Sequence, residues 1–497
     1  MKNTLVWLRN DLRLKDNPAL KKAFQTGNNV FVVYIFDEQN FEKTELDLLK
    51  TGVFRANFLL ESVKDLKKQL QSYNSDLFIY KGKADEILSN LAKKLDVETV
   101  FSSKETTYEE INLENKAKEE LSKSTISLDL TFQQTLFDFE DLPFELNDLP
   151  NIFTEFRKKV EKESTVSKPI SIPKELEELK QSNKNEFLNQ VEKTEIPTLQ
   201  DFGFTELEIK SLHNPKGVLK FEGGETAALQ RLNYYLFESN LLQIYKETRN
   251  GLLGGDYSSK FSAWLANGSI SPKMIWAEVE RYENEVTSNK STYWLKFELL
   301  WREYFKFIAA KYGNKIFLLE GMKDNENLER IYGKDRETLE KHFENEQNKK
   351  LFDKWKSAKT GIPFIDANMK ELNETGFMSN RGRQNVASFL VKDLKLDWRW
   401  GASYFETKLI DYDVTSNWSN WAYITGVGND PRENRYFNIL KQARDYDTNG
   451  DFVKYWLPQL MDVPNNLVHT LNKLTPKELE KYEISLGGNY PYPIVKL

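Results

Sequence analysis

The chain has 497 residues, enough for about three average domains and for cores that need no covalent staple. Its 70 Lys and Arg against 76 Asp and Glu leave a net charge of −6, which excludes a basic nucleic-acid-coating protein. It has no cysteine and only three histidines (His213, His342, His469), so disulfides, thiolate metal sites and cysteine nucleophiles are excluded, and a histidine cluster would have to assemble from distant positions. The longest apolar run, Val30 to Phe36, is too short to span a bilayer. Met1 to Thr4 lead straight into strand-like sequence rather than a signal peptide, and a cytoplasmic, soluble protein is the expectation.

Residues 1–130 alternate strand and helix signals. Thr4–Leu8, Val30–Phe36, Leu77–Tyr80 and Glu98–Phe101 read as strands, and Pro18–Gln25, Arg55–Gln71, Ala84–Leu95 and Glu109–Ser122 as helices. That order predicts an α/β domain with a parallel, Rossmann-like sheet and right-handed crossovers. Residues 131–215 read as a connector over the surface: Asp138–Pro150 is acidic and proline-punctuated, and Lys174–Glu195 is a solvated helix or linker. From 216 to about 460 the pattern is all α, with helices expected at Glu225–Ser239, Met274–Glu285, Thr292–Tyr312, Phe364–Thr375, Arg383–Leu394, Gly401–Leu409 and Asp451–Leu457. Residues 461–497 form a tail. Ten of the 11 tryptophans fall between Trp264 and Trp456, so the two halves are not copies of one domain. There is no GxxxxGK[ST] loop and no GxGxxG fingerprint.

Four constellations carry chemistry. In the first, Gly251–Gly255 delivers the chain into Asp256-Tyr257-Ser258-Ser259-Lys260-Phe261-Ser262, a hydroxyl-rich helix start with one cation, suited to phosphate or else a plain helix cap. In the second, Trp294, Glu298, Trp301, Arg302 and Phe305 share one helical face, either a pocket wall for a planar ligand or a buried structural ion pair. The third, Ser379–Gln384, opens a stretch (376–408) with six basic and three acidic residues, either a phosphate-binding strip or an ordinary solvated face. The fourth runs from Leu409-Ile410-Asp411-Tyr412-Asp413 through Asn417 to Trp421-Ala422-Tyr423, where carboxylates and dense indoles serve either core packing or electron transfer.

In this order the four motifs resemble the photolyase/cryptochrome flavoprotein family, over nearly the whole chain from Thr4 to about Leu460. Lys50-Thr51-Gly52, Ser103–Thr106, Phe377–Gln384, Asn434–Asn438 and Tyr423 are most similar to the DASH-type cryptochromes. The resemblance implies an N-terminal antenna-binding α/β domain, a connector and a helical domain holding U-shaped FAD. It implies cofactor contacts at Tyr245, Ser258, Ser259, Lys260, Phe261 and Ser262. Glu298, Trp301 and Arg302 become the wall between flavin and substrate, Arg383 and Asp411 the charged pair beside the isoalloxazine, with Asp413 in the same loop, and Asn417 the residue facing flavin N5. The implied reaction is light-driven repair of cyclobutane pyrimidine dimers, preferentially in single-stranded DNA, by electron transfer from excited reduced FAD. It needs no nucleophile, metal or general base.

Residue by residue, Glu298, Trp301, Asn380 and Tyr423 match the dimer-facing positions, and Arg249 and Arg381 are the phosphate contacts. Trp421 and Trp398 match the first two members of the family's photoreduction chain. The usual third position holds Asn345, which implies an altered route ending on another Tyr or Trp. No histidine lies between His342 and His469, which speaks against (6-4) repair. Glu105 matches a contact to a methenyltetrahydrofolate antenna. The protein is expected to be a monomer with DNA as its partner and no membrane association. A rival reading is a blue-light photoreceptor that signals without repair. A second rival is a colourless helical nucleic-acid-binding module.

Overall fold

The computed structural model describes residues 3–27, 29–181, 186–323, 326–432 and 435–496. Asn434 of the Asn434–Asn438 motif, and 182–185 within Lys174–Glu195, lie outside them.

Five strands, β1 (Asn3–Leu8), β2 (Asn29–Asp37), β3 (Leu77–Gly82), β4 (Val97–Ser103) and β5 (Ser127–Thr131), form one parallel sheet in the order β3-β2-β1-β4-β5. The interior strand β2, Asn-Val-Phe-Val-Val-Tyr-Ile-Phe-Asp, is buried on both faces, which is why its sequence is continuously apolar rather than alternating. Four helices, Pro18–Thr26, Val53–Ser72, Ala84–Lys94 and Tyr108–Ser122, cover the two faces as expected. Strand β5 had no expectation. It is a short edge strand with no fully buried residue, so its sequence carries little apolar signal. The expected boundary at 130 falls inside it.

The strand order reverses between β1 and β4, and ligands of open α/β sheets sit outside the carboxyl ends of the strands at such a switch point. Here those ends deliver Arg9 and Asn10 from β1 and Glu105 from β4.

The connector does more than wrap the surface. Helix Phe153–Glu163 buries Phe153, Phe156 and Val160, and Phe153 stacks on Trp301 with centroids 3.7 Å apart. Beyond it the chain is helical, with long elements at Pro272–Glu285, Lys290–Tyr312, Pro363–Thr375 and Trp398–Lys408. Helices Glu225–Asn233 and Asn380–Ser388 each continue into a π-type turn, over Tyr234–Glu238 and Phe389–Asp393. Helix Val414–Thr425, which carries Asn417, Trp421 and Tyr423, is capped by Asp413, whose carboxylate accepts from Ser416 N at 2.8 Å. The tail folds back: the Tyr490 hydroxyl donates to Asp366 at 3.0 Å and Ile494 N to the Thr360 carbonyl at 2.9 Å.

Candidate functional site

Two cavities carry the chemistry. The smaller, about 110 Å³, lies in the helical domain between Asn380, Arg383, Asp411, Asp413, Asn417 and Trp421. Helix Asn380–Ser388 begins at Ser379, whose hydroxyl accepts from Gly382 N at 2.9 Å, and this start presents Asn380 and Arg383. Arg383 Nη2 donates to both oxygens of buried Asp411 at 2.9 Å, and its Nε to the Met378 carbonyl at 2.9 Å. Trp421 closes another wall. A Cβ at Gly401 would lie 2.2 Å from its indole, so the absence of a side chain there makes room for the ring. Asn417 Nδ2 donates to the Ala402 carbonyl at 3.0 Å, which fixes the amide and leaves its Oδ1 as an acceptor.

The Ser258–Ser262 turn adjoins this cavity. The Lys260 ammonium lies 3.0 Å from the Tyr257 ring centroid and 5.2 Å from that of Phe377, and Arg383 lies 5.5 Å from the same Phe377 ring. Lys260 is buried with φ +63°, an uncommon backbone for a lysine, and burial holds its ammonium well below the usual range. Ser259 is buried and Ser262 exposed. The turn is set by Arg231, which donates to the carbonyls of Gly255 (2.9 Å), Ser258 (3.3 Å) and Ser259 (3.1 Å) and to Asp256 (3.1 Å). In a trans peptide the C=O and the next N–H point oppositely, so the N–H groups of Asp256, Ser259 and Lys260 project away from Arg231. Tyr245 joins through Tyr235, whose ring is 6.4 Å from Tyr245 and 6.0 Å from Phe261.

These residues fit FAD. The turn offers outward N–H groups, serine hydroxyls and a buried cation. The buried Tyr257 hydroxyl has no partner and stands within the influence of Glu371, Arg383 and Asp411. The cavity offers an indole wall and polar edges. Glu371, fully buried with neither oxygen partnered, is pushed up to about 8 by that burial and is a neutral acid beside the turn.

Outside the lining of this cavity, Glu298 pairs with Arg249; burial raises the carboxyl and the guanidinium opposes it. Trp301 meets Tyr423 edge-on at 5.7 Å. Arg435, paired with buried Asp430, lies over the Tyr423 ring at 5.0 Å and donates to its hydroxyl at 3.2 Å. Arg381 donates to Asn250 at 3.0 Å and lies 4.3 Å from the Tyr446 ring centroid; burial and then the charges of Arg249 and Arg435 lower it.

Two expected residues also make structural contacts. Arg302 donates to the Gln134 carbonyl at 2.5 Å and the Leu265 carbonyl at 3.4 Å, tying the helical domain to the connector. Asp413 caps its helix and binds the Lys306 ammonium at 2.6 Å. Burial would raise its carboxyl, but Lys306 and Arg302 outweigh that and hold it below the usual range. Trp398 is fully buried against Trp418, with centroids 5.8 Å apart.

The larger cavity, about 670 Å³, opens at the sheet's switch point and is lined by Asn10, Tyr34, Glu105, Tyr412 and Trp418 among others. Glu105 Oε1 accepts from Gln134 Nε2 at 2.6 Å and Asn10 Nδ2 at 3.3 Å. Burial pushes its carboxyl up to about 7 against the pull of Arg9 and Lys306. Lys306 Nζ donates to Gln134 Oε1 at 3.0 Å as well as to Asp413, so one hydrogen-bonded chain, Glu105–Gln134–Lys306–Asp413, joins the two cavities.

Sequence reasoning missed Arg231, Lys306, Gln134 and Glu371. Two left a signal. Lys306 interrupts the apolar run Tyr304-Phe305-Lys306-Phe307-Ile308, and Glu371 shares a helical face with Phe364 and Ala367. Gln134 sits in irregular chain and left none.

A family model described as DNA photolyase matches residues 4–177, and one described as FAD binding domain of DNA photolyase matches 294–497. Sheet domain, helical domain and cavity therefore define a two-domain photolyase-type flavoprotein. Cryptochrome DASH of Gloeobacter violaceus is 44% identical over 100% of this chain and 93% of its own length, and that of Xenopus laevis 44% identical over 98% and 88%. The crystal structure of a Synechocystis cryptochrome superposes with TM-score 0.89 at 42% identity, covering 100% of this chain and 97% of that one. A class III photolyase from Agrobacterium tumefaciens gives 0.82 at 26% identity, covering 100% and 95%. The chain belongs to the photolyase/cryptochrome family and within it is most like the DASH-type cryptochromes. Among the described residues no helix is long and apolar enough to cross a membrane.

Proposed function

We propose that the chain is a light-dependent lyase that opens cyclobutane pyrimidine dimers in single-stranded or locally melted DNA, working as a cytoplasmic monomer with the flavin end of FAD at the smaller cavity and its diphosphate on the Ser258–Ser262 turn. The observation that carries this reading is the indole-walled cavity at Asn380, Arg383, Asp411, Asn417 and Trp421, and it is supported by the contact cluster of Glu298 with Arg249 and of Trp301 with Tyr423 and by the nearby charge of Arg381. Bound there, FAD would supply light-driven one-electron chemistry for opening the dimer ring.

The protein's own residues bind, orient and exclude water. Arg231 holds the turn whose N–H groups take the diphosphate. Asn417, anchored on Ala402, presents an acceptor to a reduced flavin's N5–H without offering a proton. Trp301 and Tyr423 form an edge-to-face aromatic wall on which unstacked pyrimidines pack. Leaving the stack costs a few kcal/mol in duplex DNA and less in a single strand, which favours the latter as substrate. Arg249 and Arg381 attract the flanking phosphates. A phosphate that draws Arg249 off Glu298 removes the cation opposing the upward push of burial and frees the carboxyl to meet the base.

We assign the larger cavity to a methenyltetrahydrofolate antenna. Both bonds to Glu105 end on Oε1, which leaves Oε2 for the N–H edge of a pterin.

The test is an absorption spectrum of the purified chain, then illumination with dimer-containing single-stranded oligonucleotide and a reductant. Flavin absorbance and dimer loss only in the light are expected. A bound flavin with no dimer loss would refute the lyase reading in favour of a photoreceptor, and a colourless protein would refute the cofactor itself.

A further inference from the structure

The connector reads in sequence as a surface wrapping, yet its helix Phe153–Glu163 lies against the aromatic wall assigned to the substrate. Phe153, 4% exposed, stacks on Trp301 with ring centroids 3.7 Å apart and 14° between planes. An indole has two faces for stacking. Phe153 covers one, so the half-buried Trp301 has only the other face and its edge left for a ligand. Phe153 is held in turn by Phe297 at 5.2 Å and Tyr304 at 5.7 Å, both edge-on and both from the helix Lys290–Tyr312 that carries Trp301. One turn along the connector helix, Arg157 lies 5.6 Å from the Phe297 ring centroid.

Just before Phe153 the connector is bonded to both helices that supply the wall. Asn151 Oδ1 accepts from the Tyr312 hydroxyl at 2.7 Å and the Lys311 ammonium at 3.3 Å, at the end of helix Lys290–Tyr312. The Asn151 carbonyl accepts from Asn429 Nδ2 at 3.1 Å, just past helix Val414–Thr425, which carries Tyr423.

We propose that Phe153 is a positioning residue for the substrate, setting the plane of Trp301 against Tyr423, and that Asn151 is the strap that fixes the spacing of their two helices. The inference rests on Trp301 and Tyr423 receiving the unstacked pyrimidines. It makes the connector part of what distinguishes damaged from intact DNA. A ring held in place before binding avoids the ordering cost that a free side chain meets on contact, and it leaves one corner, between Trp301 and Tyr423, for a ligand to fill. An intact strand does not enter that corner and is held through its phosphates, so it does not sense Phe153.

The experiment uses the flavin-loaded protein and two fluorescent single-stranded oligonucleotides of one sequence, one carrying a cyclobutane dimer and one intact. Anisotropy in the dark gives both affinities, and flavin content and melting temperature are recorded for each variant. Phe153→Leu, which keeps apolar bulk and loses the ring, is expected to weaken dimer affinity about three- to tenfold while the intact strand binds as before. Asn151→Ala, at an exposed position, should weaken it by a smaller factor with the same selectivity, and it stands even where Phe153→Leu fails to fold. Wild-type affinities in the variants that fold would overturn the positioning role. Equal weakening for both strands, with a lowered melting temperature, would overturn it too and leave Phe153 as core packing alone. A wild-type chain that does not distinguish the two strands would instead remove the dimer-binding reading on which this one stands.

Discussion

Replacing Glu105 with glutamine should make the protein more stable at alkaline pH. The carboxyl is 6% exposed and burial moves it from 4.5 to about 7. The folded state therefore keeps a proton that the unfolded chain releases above about pH 4.5, and stability falls as pH rises until the folded group also ionises near 7. A shift of about 2.5 units at about 1.4 kcal/mol each sets an upper bound of about 3.5 kcal/mol for that loss. Glutamine is isosteric with the neutral acid, and its carbonyl still accepts from Gln134 and Asn10. The variant should match wild type near pH 5 and exceed it by up to about 3.5 kcal/mol near pH 8. Urea unfolding of both proteins at the two pH values reads the difference. Glu303 and Glu406, raised to about 7, and Glu371, raised to about 8, titrate in both proteins and cancel. Parallel pH profiles for variant and wild type would refute the assignment of a buried, proton-holding carboxyl at the switch point.

Asp413→Asn keeps a helix cap but leaves the Lys306 ammonium, 4% exposed, without its counter-ion, and should cost about 3–5 kcal/mol in thermal or urea unfolding. Because the Asp413 carboxyl is depressed in the fold, its stabilisation is present above about pH 4 and lost as pH falls, so acid should narrow the gap between the two proteins. Arg231→Met strips partners from three carbonyls of the 255–259 loop, at about 1–3 kcal/mol for each acceptor left dry, and should show first as flavin lost on dialysis. Arg381→Gln should weaken binding of single-stranded oligonucleotide evenly across sequences and flatten the log–log salt dependence by about one unit, read by fluorescence anisotropy.

The fold was legible where one physical signal dominated. Val30–Phe36 could only be a strand buried on both faces, and the glycine and proline stops around Pro363–Thr375 bounded that helix to within a residue. Strand β5 was illegible because an edge strand need not be apolar. Helix Val414–Thr425 was missed although its cap, Asp413, stood in plain view: Val-Thr-Ser-Asn is a poor helical opening by propensity, and what sustains it is packing of Trp421 against helix Trp398–Lys408.

The site divides along the same line. Motif spacing singled out Asn380, Arg383, Asp411 and Asn417, which the fold brings to one cavity from the start of helix Asn380–Ser388 and from the loop and first turn of helix Val414–Thr425. It could not show that Trp421 meets Trp355 edge-on while Trp398 meets Trp418. Those four indoles lie on three different helices, and which rings touch is decided by how the helices cross, a quantity the side-chain period within one helix does not contain. The same holds for the chain Glu105–Gln134–Lys306–Asp413, whose four members come from the β4 loop, the connector, one long helix and a cap. Gln134 reads alone as an ordinary surface polar residue, and nothing in the other three says that they join. Only their convergence makes buried charge tolerable, since Lys306 without Asp413 or Glu105 without Gln134 would be an unpaired group in the interior. Polar residues of this kind, harmless on the surface and costly alone inside, are where a sequence is least able to announce a site.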